Sequence, residues 1–295
     1  MRMPTLPAGQ AFAHSRHTVS QEMVIDSHAH FWKYPDGSTF RYKPVQHPLS
    51  VAGLVQRMDD AGVDKVVHVT RSVMGFDNDF SLEGAAQFPD RVRVMGRFDL
   101  EEGRWSERLR SWRDNPLMVG VRFTVLPPEE RWFADDVLLE PFWAEAEELG
   151  IPVAIYAPEG AAMLGRIAER HPGLRLIVDH LALRVFDIFN RKPSLDSLPL
   201  LMALRKFPNV FIKLSAIPEA TVEKGPFEQS RQVVRKIYDC FGPERLMWGS
   251  NFPVISQICG YKDSLDVVRD CAFLSSKDRE QILSRTAITV LDLPW

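Results

Sequence analysis

The sequence predicts an α/β fold, a single-domain (β/α)8 barrel of the TIM type. Short apolar runs alternate along the chain with longer segments of helical period, which is the pattern of strand–helix units that wind a parallel sheet. Eight such units can be counted. Polar residues that could carry chemistry follow many of the strands, as in a barrel whose site is assembled from the carboxyl ends of all its strands.

The eight candidate strands begin at Met23. In chain order they are MVIDSHAHF, KVVHVT, VRVMGRF, MVGVRFTV, PVAIYAP, RLIVDHLA, VFIKLSAI and LMWGSNFPV. Between them lie helical stretches such as SVAGLVQRMDDAGV and FEQSRQVVRKIYDCFG, with breakers such as Gly62 and Gly242 at their ends. The last segment, from Asp263 onward, is predicted to form helix eight followed by a tail.

An open, doubly wound sheet is the alternative architecture for a similar number of strands. That fold gathers its site at one switch point, whereas here the polar residues follow many strands. The sequence also lacks the glycine-rich motifs of dinucleotide and phosphate loops. These observations favour the closed barrel.

Length and composition predict one domain and small-molecule chemistry. The 295 residues divide into a flexible arm over residues 1–22 and a barrel over residues 23–295. A net charge of -3 argues against a nucleic-acid partner. Three cysteines without CxxC spacing predict neither a disulfide framework nor a cysteine zinc site. With no leader or membrane-spanning run visible, we expect a cytoplasmic protein, and self-association stays open.

Two histidines on the first strand are the first candidates for catalysis. His28 and His30 are two residues apart, so both side chains point to one face and, in a barrel, inward. Asp26 shares that face one step deeper, where it could orient the imidazoles. The structural alternative is a pair of satisfied histidines at a strand end.

A third histidine, His180, ends the sixth strand. Its neighbour Asp179 is predicted to point the opposite way, because adjacent side chains of an extended strand alternate. A single histidine at such a point is more often structural. Three at the same rim predict a shared reaction centre.

Several cations lie at or near strand ends, among them Arg97, Arg122 and Lys213. The alternation in VFIKLSAI predicts that Lys213 faces the barrel interior, where a buried cation needs a partner. Internal ion pairs with Asp26 or Asp99 are one interpretation. A surplus of cations over visible carboxylates predicts instead a small anionic substrate.

The remaining histidines divide by position. His68 and His171 are predicted to be structural or solvent-facing rather than catalytic. His47 lies in the long polar loop after the first strand, where loops over a barrel mouth often contact substrate, and Tyr42 and Arg41 are equally placed.

The motifs IDSHAHFW, DHLA and MWGSNFPV, in this order at barrel spacing, resemble the amidohydrolase superfamily. The similarity is to its branch of lactone hydrolases, which includes 2-pyrone-4,6-dicarboxylate lactonase, 4-sulfomuconolactone hydrolase and fuconolactonase, and it runs from about Met23 to the C-terminal tail. The resemblance implies water attack on a lactone or ester carbonyl above the barrel. It also implies that His28, His30 and His180 polarise the carbonyl and manage protons, and that substrate carboxylates are held by Arg122, Tyr156 and Lys213.

The sequence departs from this family where the eighth strand ends. The family places an aspartate there to activate water, whereas this chain has Asn251, which neither accepts a proton nor provides anionic metal ligation. Tyr156 also stands where zinc-binding members tend to have histidine. These departures predict metal-independent catalysis without a cofactor, with His28, His30 and His180 as the ligands if zinc binds. The base is then an imidazole near its ordinary pKa of about 6.5, or a substrate carboxylate.

The leading prediction is a hydrolase that opens a small carboxylate-bearing lactone or ester. Decarboxylation of an aromatic or muconic acid at the same rim is the enzymatic alternative. A non-catalytic barrel that binds a small molecule is the third hypothesis.

Overall fold

The computed structural model describes residues 22–33, 49–126, 129–133, 136–185 and 193–295. Eight parallel strands form one sheet in sequence order, β1 to β8. They span Ile25–Ala29, Lys65–Val69, Val92–Arg97, Met118–Thr124, Val153–Tyr156, Leu176–Val178, Val210–Leu214 and Leu246–Trp248. The first strand meets the segment after the eighth through a parallel bridge between Ala29 and Phe252. The result is the predicted barrel, nearly closed, and the open sheet is ruled out.

Helices alternate with the strands. Helices α1 to α11 span Val51–Ala61, Asp79–Gln87, Trp105–Arg110, Asp136–Glu148, Ala161–Arg170, Leu198–Met202, Ile217–Thr221, Glu228–Phe241, Tyr261–Arg269, Ser276–Glu280 and Thr286–Leu291. Short 3₁₀ turns lie at several strand and helix ends, including Asp179–Ala182 directly after β6.

Local sequence signals explain where α1 begins and ends. The hydroxyl oxygen of Ser50 accepts a hydrogen bond from the backbone N–H of Gly53 at 3.1 Å and caps the first turn. The helix stops at Gly62, whose φ of 72° suits a residue without a Cβ. The predicted breaker therefore ends this helix.

An eighth helix follows β8 as predicted, but the segment behind it is helical and not a simple tail. The whole region divides into α9, α10, a π-helical turn over Gln281–Arg285, and α11. Ser275 separates α9 from α10 because its hydroxyl accepts from the backbone N–H of Asp278 at 3.1 Å and starts a new helix.

Two apolar layers surround the strands. Val210, Ile212 and Leu214 of β7 pack outward with the helices, while Phe211 on the alternate face packs with the barrel interior, as the alternation predicted. The interior layer also contains Val290 and Leu291 of α11. The C-terminal segment thus covers the amino-terminal ends of the strands and leaves their carboxyl ends for the site.

Candidate active site

Unusual backbone geometry follows the last three strands. His180, Leu181 and Ala182 after β6 have φ angles of 53°, 56° and 49°; Ala216 after β7 and Asn251 after β8 have 56° and 59°. Left-handed conformations cost free energy in residues other than glycine, least in asparagine. Such strain is tolerated where surrounding structure enforces it, commonly at functional sites.

These turns bring the three predicted histidines into one buried cluster. The ring centroid of His28 lies 4.9 Å from that of His30 and 4.5 Å from that of His180. All three side chains are at most 5% exposed. His180 is placed in the left-handed turn after β6 rather than in the strand, which ends at Val178. The ring of His180 therefore lies against His28 of β1.

The hydroxyl of Ser215 holds the His180 ring. Its Oγ lies 2.8 Å from Nδ1 of His180 and accepts a hydrogen bond from the His180 backbone N–H at 3.3 Å. Ser215 follows β7, so the contact ties the turns after two neighbouring strands together. A ligand-facing imidazole is commonly oriented by such a second contact.

His30 makes close polar contacts at both ring nitrogens. Its Nδ1 lies 2.7 Å from the backbone carbonyl oxygen of Val69, and its Nε2 lies 3.2 Å from Oδ1 of Asn251. A carbonyl oxygen only accepts, so Nδ1 carries the hydrogen. In the neutral ring Nε2 is then an acceptor, and it gains a hydrogen bond only when the Asn251 amide turns so that its N–H faces the ring.

Asp179 lies at the centre of the site, contrary to the prediction that it faces away. Its Oδ1 lies 3.1 Å from Nζ of Lys213 and 3.5 Å from Nδ1 of His28, and its Oδ2 lies 3.3 Å from Nε of Arg122. The alternation rule failed because β6 ends at Val178 and the chain turns into the left-handed region directly after Asp179.

The interpretation that paired Lys213 and Arg122 with an internal carboxylate was right in kind but wrong in the partner, which is Asp179 and not Asp26 or Asp99. Asp26 accepts hydrogen bonds from the backbone N–H and the hydroxyl of Ser250, at 2.9 and 2.6 Å, and from the hydroxyl of Tyr261 at 2.8 Å. Asp26 also accepts a hydrogen bond from the backbone N–H of His28 at 2.9 Å. Asp26 therefore anchors the turn after β8 and does not orient the imidazoles through these bonds.

Asn251 connects His30 to a carboxyl group that sequence reasoning missed. Its side-chain amide lies 2.9 Å from Oε1 of Glu219, on α7 after β7. Glu219 is 4% exposed. The available signal was a carboxylate in the loop after a strand, in SAIPEAT, with no basic residue beside it.

Burial controls the charge of the cluster. It lowers the pKa of His28 to about 4, with the attraction of Asp179 opposing the change and the repulsion of Lys213 adding to it. Burial also lowers the pKa of His30 and of His180 well below the ordinary value. The sequence-based assumption of an ordinary imidazole pKa was therefore wrong, and the three rings are neutral at neutral pH.

Burial and neighbouring charges shift the pKa values of the other ionisable groups of the site in different directions. Burial alone would raise the pKa of Asp179, but the charge of Lys213, with His28 and Arg122, holds it well below its usual range. Burial lowers the pKa of Lys213, opposed by its ion pair with Asp179. Glu219 has no cation among the groups that shift its pKa, and burial raises that pKa to about 8.

The other predicted binding residues occupy different places. The ring of Tyr156 packs edge-on against His180 with centroids 5.0 Å apart, and its hydroxyl oxygen accepts from the backbone N–H of Val185 at 3.5 Å. Arg97 is buried with its guanidinium 4.9 Å from the ring centroid of Phe76. Tyr42, Arg41 and His47 lie outside the described residues.

His68 and His171 are structural, as predicted. The backbone N–H of Phe31 donates to Nδ1 of His68 at 3.2 Å, and Nε2 of His68 lies 2.9 Å from the Ser81 hydroxyl. His171 lies between Glu140 and Glu147, whose carboxylates are 3.1 and 3.2 Å from its ring nitrogens.

Stability is expected to fall as the pH decreases below about 6.5. The folded state keeps His28, His30, His68 and His180 neutral at a pH where the unfolded chain protonates them. Glu219 acts in the opposite sense between about pH 4.5 and 8, because its folded carboxyl keeps a proton that the unfolded one loses. Burial also raises the pKa of Asp26, which acts in the same sense as Glu219, but the four imidazoles outweigh these two carboxyl groups.

Urea unfolding at pH 7 and pH 5 measures this slope. The free energy of unfolding should drop by at least about 1 kcal/mol per pH unit, close to the slope for one net proton. A stability that does not change between these pH values would contradict the buried neutral cluster.

The family model for the amidohydrolases matches residues 25–293. The chain belongs to this amidohydrolase family. The predictions of an amidohydrolase and of a hydrolytic enzyme are thereby confirmed. Among the described residues, no helix is both long and apolar enough to cross a membrane.

Individual amidohydrolases are similar over most of the chain. An L-fucono-1,5-lactonase from Burkholderia ambifaria is 29% identical over 257 residues, which are 80% of this chain and 82% of the relative. An amidohydrolase from Burkholderia multivorans, crystallised with bound zinc, superposes with a TM-score of 0.77 at 23% identity, over 92% of this chain and 100% of that one. A protein named 2-pyrone-4,6-dicarboxylic acid hydrolase from Pseudomonas putida gives 0.75 at 21% identity, over 93% and 99%.

The zinc in that related structure raises the question of whether these residues fit a metal. Nε2 of His30 is directed at the neutral amide of Asn251, and Nζ of Lys213 lies 3.4 Å from Nδ1 of His28. Within the described ranges, no three histidine, cysteine or carboxylate side chains are arranged to hold an ion. Three imidazoles are in themselves a zinc donor set, but the amino group of Lys213 beside His28 and the neutral amide of Asn251 beside His30 disfavour a dication in this arrangement.

Proposed function

We propose that this amidohydrolase opens a small lactone by water attack on its carbonyl carbon at the carboxyl ends of the strands. The observation that carries the proposal is the cluster of neutral histidines, His28, His30 and His180, enclosed by residues after β6, β7 and β8. The L-fucono-1,5-lactonase that matches most of the chain supports the same reaction class.

Neutral imidazoles suit the electrophilic half of this reaction. Nε2 of His28 is buried and has no hydrogen-bond partner in the described part of the chain, so it is left for water or substrate. A ring N–H directed at the carbonyl oxygen stabilises the oxyanion that forms as water adds. In our proposal His180, held by Ser215, and His28 contact that oxygen.

The substrate class follows from the interior charges. Lys213 and Arg122 share the single carboxylate of Asp179, so the trio carries an excess positive charge when Lys213 is protonated. An anionic substrate group would balance it, and we propose a carboxylate-bearing lactone held by Arg122, Tyr156 and Lys213. Tyr42 and Arg97 stay predictions as further contacts.

A neutral sugar lactone is the second candidate, favoured by the match to L-fucono-1,5-lactonase. Decarboxylation is the less supported alternative, since nothing in the site geometry selects it over hydrolysis.

Turnover of matched lactones decides between these substrates. We expect 2-pyrone-4,6-dicarboxylate to be opened with a higher kcat/KM than L-fucono-1,5-lactone, because only the former offers carboxylates to Arg122. Arg122→Met should raise KM for the dicarboxylate by at least about 10-fold, the loss of one charge-assisted contact. A wild-type enzyme whose kcat/KM is higher for the sugar lactone, with the same preference in Arg122→Met, would contradict a carboxylate-bearing substrate.

We further propose that turnover does not depend on zinc. The donor set around His28 and His30 supports this, as described above. Purified protein should hold zinc well below one equivalent, and incubation with a chelator should leave kcat unchanged. Stoichiometric zinc whose removal abolishes turnover would overturn this part of the proposal.

A further inference from the structure

Glu219 is a buried carboxyl group that the proposed chemistry does not yet use. It lies on α7. This helix begins directly after Ala216, a residue in the left-handed conformation that follows β7. One oxygen lies 2.9 Å from the amide of Asn251. The other, Oε2, is buried and has no hydrogen-bond partner among the residues that the structure describes. A half-satisfied buried carboxyl is costly and calls for an explanation.

The surroundings of Glu219 suit a group that exchanges a proton. Asn251 contacts its carboxyl, and the titratable neighbour Cys259 has a pKa raised to about 12 by burial, Asp263 and Glu219, so that thiol is neutral. No cation contributes to the shift of the Glu219 pKa. A structural carboxylate of similar burial, Asp179, is instead paired with two cations.

Asn251 can satisfy both protonation states of Glu219. When Glu219 is ionised, the amide N–H donates to it. When Glu219 is protonated, the amide can turn so that its oxygen accepts from the carboxyl O–H and its N–H donates to Nε2 of His30. The second orientation matches a neutral His30, whose Nδ1 hydrogen is committed to the Val69 carbonyl. A reversible proton on Glu219 therefore keeps the hydrogen bond between Glu219 and Asn251 in both states, and the turned amide adds one to His30 when Glu219 is protonated.

We propose that Glu219 is the catalytic proton acceptor for the attacking water, supplying the carboxylate function beside the neutral Asn251. This inference rests on the proposed lactone hydrolysis. The neutral imidazoles are poor acceptors after burial, whereas a carboxyl with a pKa close to the working pH can take and return a proton.

The water oxygen bonds to the lactone carbonyl carbon, the water O–H bond breaks, and its proton moves to Oε2 of Glu219 while the carbonyl electron pair moves to oxygen. As the intermediate collapses, the bond between the carbonyl carbon and the ring oxygen breaks. Glu219 returns the proton to that oxygen, which becomes the product hydroxyl, and Glu219 is again ionised.

Glu219→Gln tests the role because glutamine keeps the shape and both hydrogen-bonding options toward Asn251 but cannot carry the proton. We expect kcat on the preferred lactone to fall by about 10²- to 10⁴-fold with KM nearly unchanged. The wild-type rise of kcat/KM with pH, half-maximal near pH 8, should disappear in the variant. Glu228→Gln, at an exposed position on α8, is the matched control and should behave as wild type.

A second variant moves the carboxylate instead of removing it. Glu219→Gln/Asn251→Asp places the carboxyl on the neighbouring side chain and should recover part of the activity lost in Glu219→Gln. Circular dichroism and thermal unfolding confirm that both variants fold.

The outcomes separate the two proposals. A wild-type protein that opens no lactone contradicts the proposed function, and the role of Glu219 fails with it. If the wild type is active and folded Glu219→Gln keeps the wild-type kcat, only the role of Glu219 is overturned. A lowered kcat with an unchanged pH profile likewise overturns it, because a group that merely positions Asn251 would give that result.

Discussion

Replacing Asp179 with asparagine is expected to lower the free energy of unfolding by about 3–5 kcal/mol, the cost of leaving a buried charge without its partner. Lys213 is fully buried and lies 3.1 Å from the Asp179 carboxylate, which also contacts Arg122. Asparagine keeps the size of the side chain but removes the charge that both cations share. Urea unfolding of wild type and variant at pH 7 measures the difference.

The control removes the cation together with the carboxylate. Asp179→Asn/Lys213→Met replaces the lysine by an apolar side chain of similar length, and it should regain most of the lost stability, since replacing a buried pair is often nearly neutral. A single variant as stable as wild type would show that Asp179 is not the central counter-ion.

His180→Asn is expected to reduce kcat by about 10³-fold, the loss typical of one donor to a developing oxyanion. Asparagine can still bond to the Ser215 hydroxyl, so the turn after β6 should persist. Steady-state kinetics on the preferred lactone give the effect, with thermal unfolding as the check on folding.

Ser215→Ala offers a graded comparison. It keeps the imidazole but removes the hydroxyl that lies 2.8 Å from its Nδ1, so kcat should fall by about 10- to 100-fold, as when an orienting contact is lost. Equal losses in both variants, or no loss in His180→Asn, would contradict the assignment of His180.

The fold could be predicted because its signals are local and repeat eight times. Strand alternation placed Val210, Ile212 and Leu214 outward and Lys213 inward, and Gly62 marked the end of α1. The same rule placed His28 and His30 together. It failed for Asp179, because the strand ends one residue earlier and the left-handed turn that follows is not visible in the residues DHLA.

The sequence predicted the three histidines of the candidate site but not its two carboxyl groups, Asp179 and Glu219. His28, His30 and His180 lie at or directly after the carboxyl ends of strands, so barrel topology places them at the same rim. Glu219 contacts Asn251 across 32 residues of sequence, and this contact depends on the left-handed conformations of Ala216 and Asn251. The lowered pKa values of the imidazoles likewise depend on burial, which only the packed structure reveals.

Hydrolysis of a lactone in water enriched in ¹⁸O tests the central proposal most directly. We predict that each product molecule formed by the wild-type enzyme contains one ¹⁸O atom, located in the new carboxylate, because water attacks the carbonyl carbon and the ring oxygen leaves as the hydroxyl. Mass spectrometry of product fragments locates the label. Label in the hydroxyl group, or ring opening no faster than in buffer alone, would contradict water attack on a lactone carbonyl at this histidine cluster.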